Sequence, residues 1–239
     1  MVRSKSGLKA LGLCALVVGL MAVVTSSAQA EVGARWMVNK VNIETGKTGP
    51  TAVKAKIENG TASLLTTILG IATKILCTEG TLVGVSLENE GALTKGGKVK
   101  FSNCATYLEG SSTASTPCLP KTAGANDIIE TNGGVGLLVL VGGVGETLIK
   151  AAEEAKPLAV VESSVECAVG QKINITGELI LKDCELFEGK SAISHEQVTH
   201  LVEADNVNST LKASGQKATI DGSATVETTG GLSWSGLPV

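Results

Sequence analysis

Gly136-Leu137-Leu138-Val139-Leu140-Val141-Gly142-Gly143-Val144-Gly145-Glu146-Thr147-Leu148, running on to Pro157-Leu158-Ala159-Val160-Val161, is the stretch on which the fold turns. One reading makes 137–141 a strand, the glycines a phosphate loop, 147–156 a helix and 157–161 a second strand. That outline is the skeleton of a dinucleotide site. Such a site needs glycines where the pyrophosphate approaches the backbone and a third glycine where the helix packs on the sheet. Here the third position is Leu148, and Glu146 puts negative charge where the phosphate would sit. The fingerprint fails, so the glycines read as a strand corner or bulge, with 146–156 open to helix or strand. The run is also too short and too interrupted by glycine to span a membrane.

Outward from this stretch, apolar residues recur with a period of two. Val53, Ala55 and Ile57 alternate with Lys54, Lys56 and Glu58. Val99 and Phe101 alternate with Lys98, Lys100 and Ser102. Val161, Ser163, Val165, Cys167 and Val169 fall on one face, with a hairpin turn expected at Gly170-Gln171. Ile173 and Ile175, Leu179 and Leu181, and Val198, His200 and Val202 repeat the pattern. Turn signals lie between: Asn59-Gly60, Lys95-Gly96-Gly97, Asn132-Gly133-Gly134, Asp221-Gly222 and Gly230-Gly231. Residues 61–76 fit either a helix, with Leu64, Ile68, Ile71 and Ile75 on one face, or two strands broken at Gly70. The β-branched composition favours strands. Short strands at near-regular spacing indicate a single all-β domain, an antiparallel sandwich or barrel.

Residues 1–30 have the three parts of a secretory signal peptide. Arg3, Lys5 and Lys9 start it, an apolar run from Ala10 to Val24 follows, and Ala28-Gln29-Ala30 offers a cleavage site. The run is shorter than the roughly 20 residues of a spanning helix. The expected mature domain is 31–239. It holds 17 Lys and Arg against 23 Asp and Glu, a net charge of −6, with no cationic run. That balance, with five aromatic residues in the chain, argues against nucleic acid and anionic membranes as partners. Nor is a span expected after cleavage.

Export makes disulfides the default for Cys77, Cys104, Cys118, Cys167 and Cys184. Cys104 and Cys118 bracket a polar loop and form the best local pair. Cys167 and Cys184 would lie about 33 Å apart along an extended hairpin. The expected pairs are therefore Cys104–Cys118 and Cys77–Cys167, with Cys184 as a free or intermolecular thiol. No C-x-x-C pair suggests zinc.

Few residues point to catalysis or a cofactor. His195 and His200 are five apart, not the four that sets two histidines on one helical face, so one surface and one strand histidine are expected. Gly231-Leu232-Ser233-Trp234-Ser235 lacks the last glycine of a nucleophile elbow and reads as an edge strand anchored by Trp234. Asn59, Asn174 and Asn208 begin glycosylation triplets. No carboxylate pair is marked.

The order Cys77-Thr78-Glu79-Gly80, Val99-x-Phe101-x-x-Cys104, Cys118, Ile128-Ile129-Glu130-Thr131 and Val165-Glu166-Cys167, with Ile175-Thr176-Gly177 following, resembles a group of uncharacterised exported proteins of soil actinobacteria. The similarity covers residues 76–181. It implies a secreted β-rich domain and brings no catalytic residue. Cys184 is an addition to the pattern, in keeping with an odd thiol.

The sequence thus leads to a secreted or envelope-associated structural or binding protein, not an enzyme, with no cofactor and no metal. Its expected contact surface is the 104–118 loop with Tyr107, since loops on rigid sheets carry binding. Two alternatives are an exported hydrolase using two carboxylates and a self-assembling surface or fibre subunit joined through Cys184.

Overall fold

The computed structural model describes residues 34–43, 51–183 and 193–237. The signal segment and Cys184 lie outside the described residues. The described chain is all-β, without an α-helix. In order, its strands are β1 (Arg35–Val38), β2 (Val41–Asn42), β3 (Thr51–Ile57), β4 (Ala62–Ile68), β5 (Ile71–Val83), β6 (Ser86–Leu87) and β7 (Ala92–Leu108). Then come β8 (Lys121–Thr122), β9 (Ala125–Asn126), β10 (Ile129–Glu130), β11 (Gly134–Val141), β12 (Val144–Ala151), β13 (Ala159–Glu162) and β14 (Lys172–Thr176). The last are β15 (Leu179–Asp183), β16 (Ile193–Gln197), β17 (Thr199–Ala204), β18 (Lys212–Ala213), β19 (Gln216–Asp221), β20 (Ser223–Thr228) and β21 (Trp234–Leu237).

Of the two architectures expected, the chain adopts the barrel. Strands β3, β6, β7, β11, β12, β15, β17 and β20 pair antiparallel in a closed eight-stranded circuit. A second circuit continues along the C-terminal part of β7. It runs through β10, a bridge from Thr131 to Ala159 on β13, and then β14, β18, β19, β4 and β5 back to β7. Closure satisfies the backbone groups that an open sheet would leave on its edges. A small sheet of β16, β21, β1 and β2 stands apart.

The register explains the alternation. Val53, Ala55 and Ile57 oppose Thr228, Val226 and Ala224. Val226 and Ala224 oppose His200 and Val202, and Leu181 links Ala204 to Thr147. Directly opposed residues share a face, so this set points into the barrel while Lys54, Lys56, Lys182 and Glu227 point out. Cysteines and apolar residues from Ile68 to Ala218 form the core of the second circuit. Ala34, Trp36, Val53, Leu87, Leu138 and Trp234 form a separate cluster where the small sheet meets the first.

The 136–161 stretch is a hairpin and not a nucleotide-binding turn. Gly142 and Gly143 have φ of 59° and 87°, the left-handed pair of a two-residue turn, and Leu137–Val141 faces Val144–Leu148 residue by residue. Gly136 faces inward beside Leu93, whose side chain would lie 2.4 Å from an added Cβ, so a larger residue would displace Leu93. Residues 61–76 are two strands, turning at Leu69-Gly70.

Several expectations need correction. Lys95-Gly96-Gly97 is no turn. It lies within β7, where the register with β11 shifts. The strand from Val161 ends at Glu162, which pairs with Lys172, and Val165 is exposed. The alternation fails because 163–171 turns twice. Cys167 N–H donates to Ser164 O, Gly170 N–H to Cys167 O, and Ser163 Oγ to Gly170 O. The disulfides join Cys77 to Cys104 and Cys118 to Cys167, so the four expected cysteines are bonded but both expected pairs are wrong. Cys77 and Cys104 are directly opposed on β5 and β7, with Cα atoms 4.0 Å apart. Cys167, on the folded-back turn, then meets Cys118 beside Pro117, whose carbonyl accepts from Ser164 N–H.

Candidate functional site

Between the two apolar clusters lies a cavity of about 320 Å³ inside the barrel. It reaches from Trp36 and Trp234 at one end to Ile75, Ile129 and Ile175 at the other. Its origin is legible in the inward positions. Ala55, Ala204 and Ala224 line it and are too small to meet across the barrel, while Gly80 and Gly136 are covered by Ile57, Phe101 and Leu93. Leu64, Phe101, Ile149 and Leu179 line it too and are only partly buried, although they face inward. Protein interiors are normally close-packed. Leaving this much space costs several kcal/mol by the roughly 24 cal/mol per Å³ measured for core cavities. An apolar space of about twice the 150 Å³ that accepts one benzene suits a small apolar molecule.

The cavity's Trp end is closed by β1 and β21. Trp36, Val38, Trp234 and Gly236 share one face of that pair. Trp36 and Trp234 meet edge to face at 5.7 Å, and Trp36 Nε1 donates to Ala92 O at 2.9 Å. Gly236 leaves room for the Trp36 ring, which would crowd an added Cβ at 2.7 Å. Trp234 is anchored as expected, but its strand lies between β1 and β16 and is not an edge. His200 is the strand histidine of the sequence reading, now seen to be buried inside the barrel. Its Nε2–H donates to Trp234 O at 2.8 Å, and its Nδ1 lies 2.6 Å from Asp183 Oδ2. The side chain of His195 lies outside the described residues.

A second cluster sits outside the barrel wall. Glu146 opposes Val139 and is 6% exposed, with Oε2 lacking a partner among the described residues. Burial, with the Asp205 carboxyl beside it, pushes Glu146 up to about 7 against the pull of Lys182. Asp205 is held below its ordinary value. Burial raises it, but the Asn208 side chain at 2.6 Å, the N–H groups of Asn208 and Val207, and Lys182 outweigh that. Two carboxyls do therefore meet, unmarked in the sequence. Neither lines the cavity.

The raised group carries a stability prediction. Glu146 ionises near 4.5 when unfolded and near 7 when folded. Its protonated form is the one the fold favours, so stability is full below the unfolded value and falls as pH rises toward 7. The total loss is roughly 3 kcal/mol. Glu146→Gln keeps the hydrogen-bonding shape without the charge. Urea melts should show it unchanged at pH 4 and more stable than the parent at pH 8 by up to about that amount. Equal stability of the two proteins at pH 8 would contradict the assignment.

Tyr107 lies on β7 and not on the loop itself. With Leu65, Lys74, Leu76 and Gly110–Ser112 it lines an open surface groove of about 480 Å³. Among the described residues no helix is long and apolar enough to cross a membrane, and no group of three or more metal-ligating side chains converges. No family model, no curated protein and no solved structure matches the chain.

Proposed function

We propose that this is an exported binding protein, without enzymatic activity of its own, that shelters a small apolar molecule inside its barrel. The observation that carries the reading is the apolar cavity of about 320 Å³, lined by the inward Ala55, Ala204 and Ala224. Two disulfides are compatible with an extracellular location, and the N-terminal segment reads as its export signal. A rigid, closed, cross-linked barrel suits carriage. Its pocket is shaped before the ligand arrives, which reduces the ordering cost of binding. The hydrolase reading has the Glu146–Asp205 pair in its favour, but a substrate would have to reach a carboxyl that is 6% exposed.

Titration with Nile red tests the reading. One equivalent should bind with a blue-shifted emission. Ala224→Leu, which fills part of the lining, should weaken binding at least about tenfold with unchanged far-ultraviolet circular dichroism. Saturable binding unaffected by Ala224→Leu, or no binding by the folded protein, would rule out the cavity as the site.

A further inference from the structure

The cavity is long for its volume, and from that shape, resting on the cavity reading above, we infer that the ligand is a single unbranched hydrocarbon chain of about twelve carbons. Leu82 on β5 packs with the Trp cluster at one end, and Ile75 on the same strand belongs to the core at the other. Both line the cavity, seven residues apart, which is about 23 Å at strand rise. Strand β7 gives nearly the same measure. Leu93 and Phe101 line the two ends, and their eight-residue separation is shortened to about 20 Å by the two extra residues that β7 takes up against β11. Strands in a barrel tilt by about 35–45°, so the space runs about 16 Å along the axis.

A sphere of the same volume would be only about half as long. Drawn out over about 16 Å, the roughly 320 Å³ have a mean cross-section of about 20 Å², the width of one extended alkyl chain. Volume alone leads to the same size of ligand. If about 150 Å³ accepts the six carbons of benzene, about 320 Å³ accepts about twelve, and twelve in an extended chain measure about 15 Å. The wall offers little to a polar midsection. Thr94 Oγ1 and Thr131 Oγ1 already accept from the N–H groups of Ser86 and Val99, and the lining is otherwise chiefly apolar. Each methylene buried against such a wall should tighten binding about fourfold.

The test compares the straight-chain primary alcohols hexanol, octanol, decanol and dodecanol with adamantylethanol, which packs twelve carbons into a compact cage, by calorimetry on the full disulfide-bonded protein. Affinity should rise about fourfold per methylene up to dodecanol. Adamantylethanol should bind at least about tenfold more weakly than dodecanol. A smaller gap, or affinity that levels off at octanol or before, would overturn the inference while leaving the cavity reading standing. Ala159→Leu shortens the space, because Ala159 lines the end away from the tryptophans. With circular dichroism unchanged, that variant should bind hexanol much as the parent does. Its gain from octanol to dodecanol should fall from about two-hundredfold to about tenfold or less. An undiminished gain in the folded variant would likewise overturn the inference. Failure of all five alcohols to bind the folded parent would overturn the cavity reading itself.

Discussion

Replacing His200 with Leu should destabilise the protein by roughly 3–5 kcal/mol, the cost of breaking a buried charged or hydrogen-bonded pair from one side. The side chain is 1% exposed and joins the barrel strand β17 to β21 through the Trp234 carbonyl and to β15 through Asp183. Leu has nearly the same bulk, so the loss is chiefly one of hydrogen bonds. It leaves the Trp234 carbonyl without its donor and removes the imidazole from the Asp183 carboxyl in the barrel interior. Replacing both His200 and Asp183 with Leu should recover more than half of the deficit, because exchanging both partners for apolar groups is close to neutral. Urea denaturation of the two single variants and the double one completes the cycle. Additive losses, or a His200→Leu cost under about 1 kcal/mol, would show that the pair contributes no coupling.

Removing the Cys118–Cys167 bond by a double change to Ala should cost about 4 kcal/mol. The bond closes a 49-residue separation, and the stabilisation in the chain-entropy model grows slowly with loop length. The same model gives about 3.5 kcal/mol for Cys77–Cys104, separated by 27. The two losses should differ in where they are felt. Cys77 and Cys104 sit in a ladder that nine other residue pairs already hold in register. Cys118 and Cys167 instead tie a short 3₁₀ turn to the doubled-back turn at 163–171, where few ladder bonds exist. Hydrogen exchange should therefore accelerate around 110–118 and 163–170 in the Cys118/Cys167 variant, and much less around 71–83 in the other. A cost below about 1 kcal/mol with unchanged exchange would mean that the turns hold themselves.

How far the chain could be read in advance differs from feature to feature. At Gly142-Gly143 the glycines marked a corner or bulge, but the tight two-residue hairpin, with Val141 opposite Val144, emerged only from the pairing of the flanking strands. The alternation at 161–169 misled because two serine hydroxyls and a carbonyl inside the segment offer the backbone an alternative to the ladder. The cavity left a trace in the alternating positions, where Ala55, Ala204 and Ala224 stand in for larger residues, but its meaning depends on those strands closing on one another. Nothing adjacent in the chain marks Asp183 as a partner of His200, 17 residues on, or Glu146 as a neighbour of Asp205.

The β class and most of the strand period were determined by the sequence alone, since each depends on neighbours along the chain and on the two-residue repeat of the extended backbone. The cysteine pairs, the buried histidine and the space within the barrel were decided only by tertiary structure. A register is a choice among distant partners, and sliding one strand by a single residue would turn every inward side chain outward. Closure of each circuit selects one register for its strands together. In the second circuit that choice sets Cys77 opposite Cys104, and in the first it turns Ala55, Ala204 and Ala224 inward.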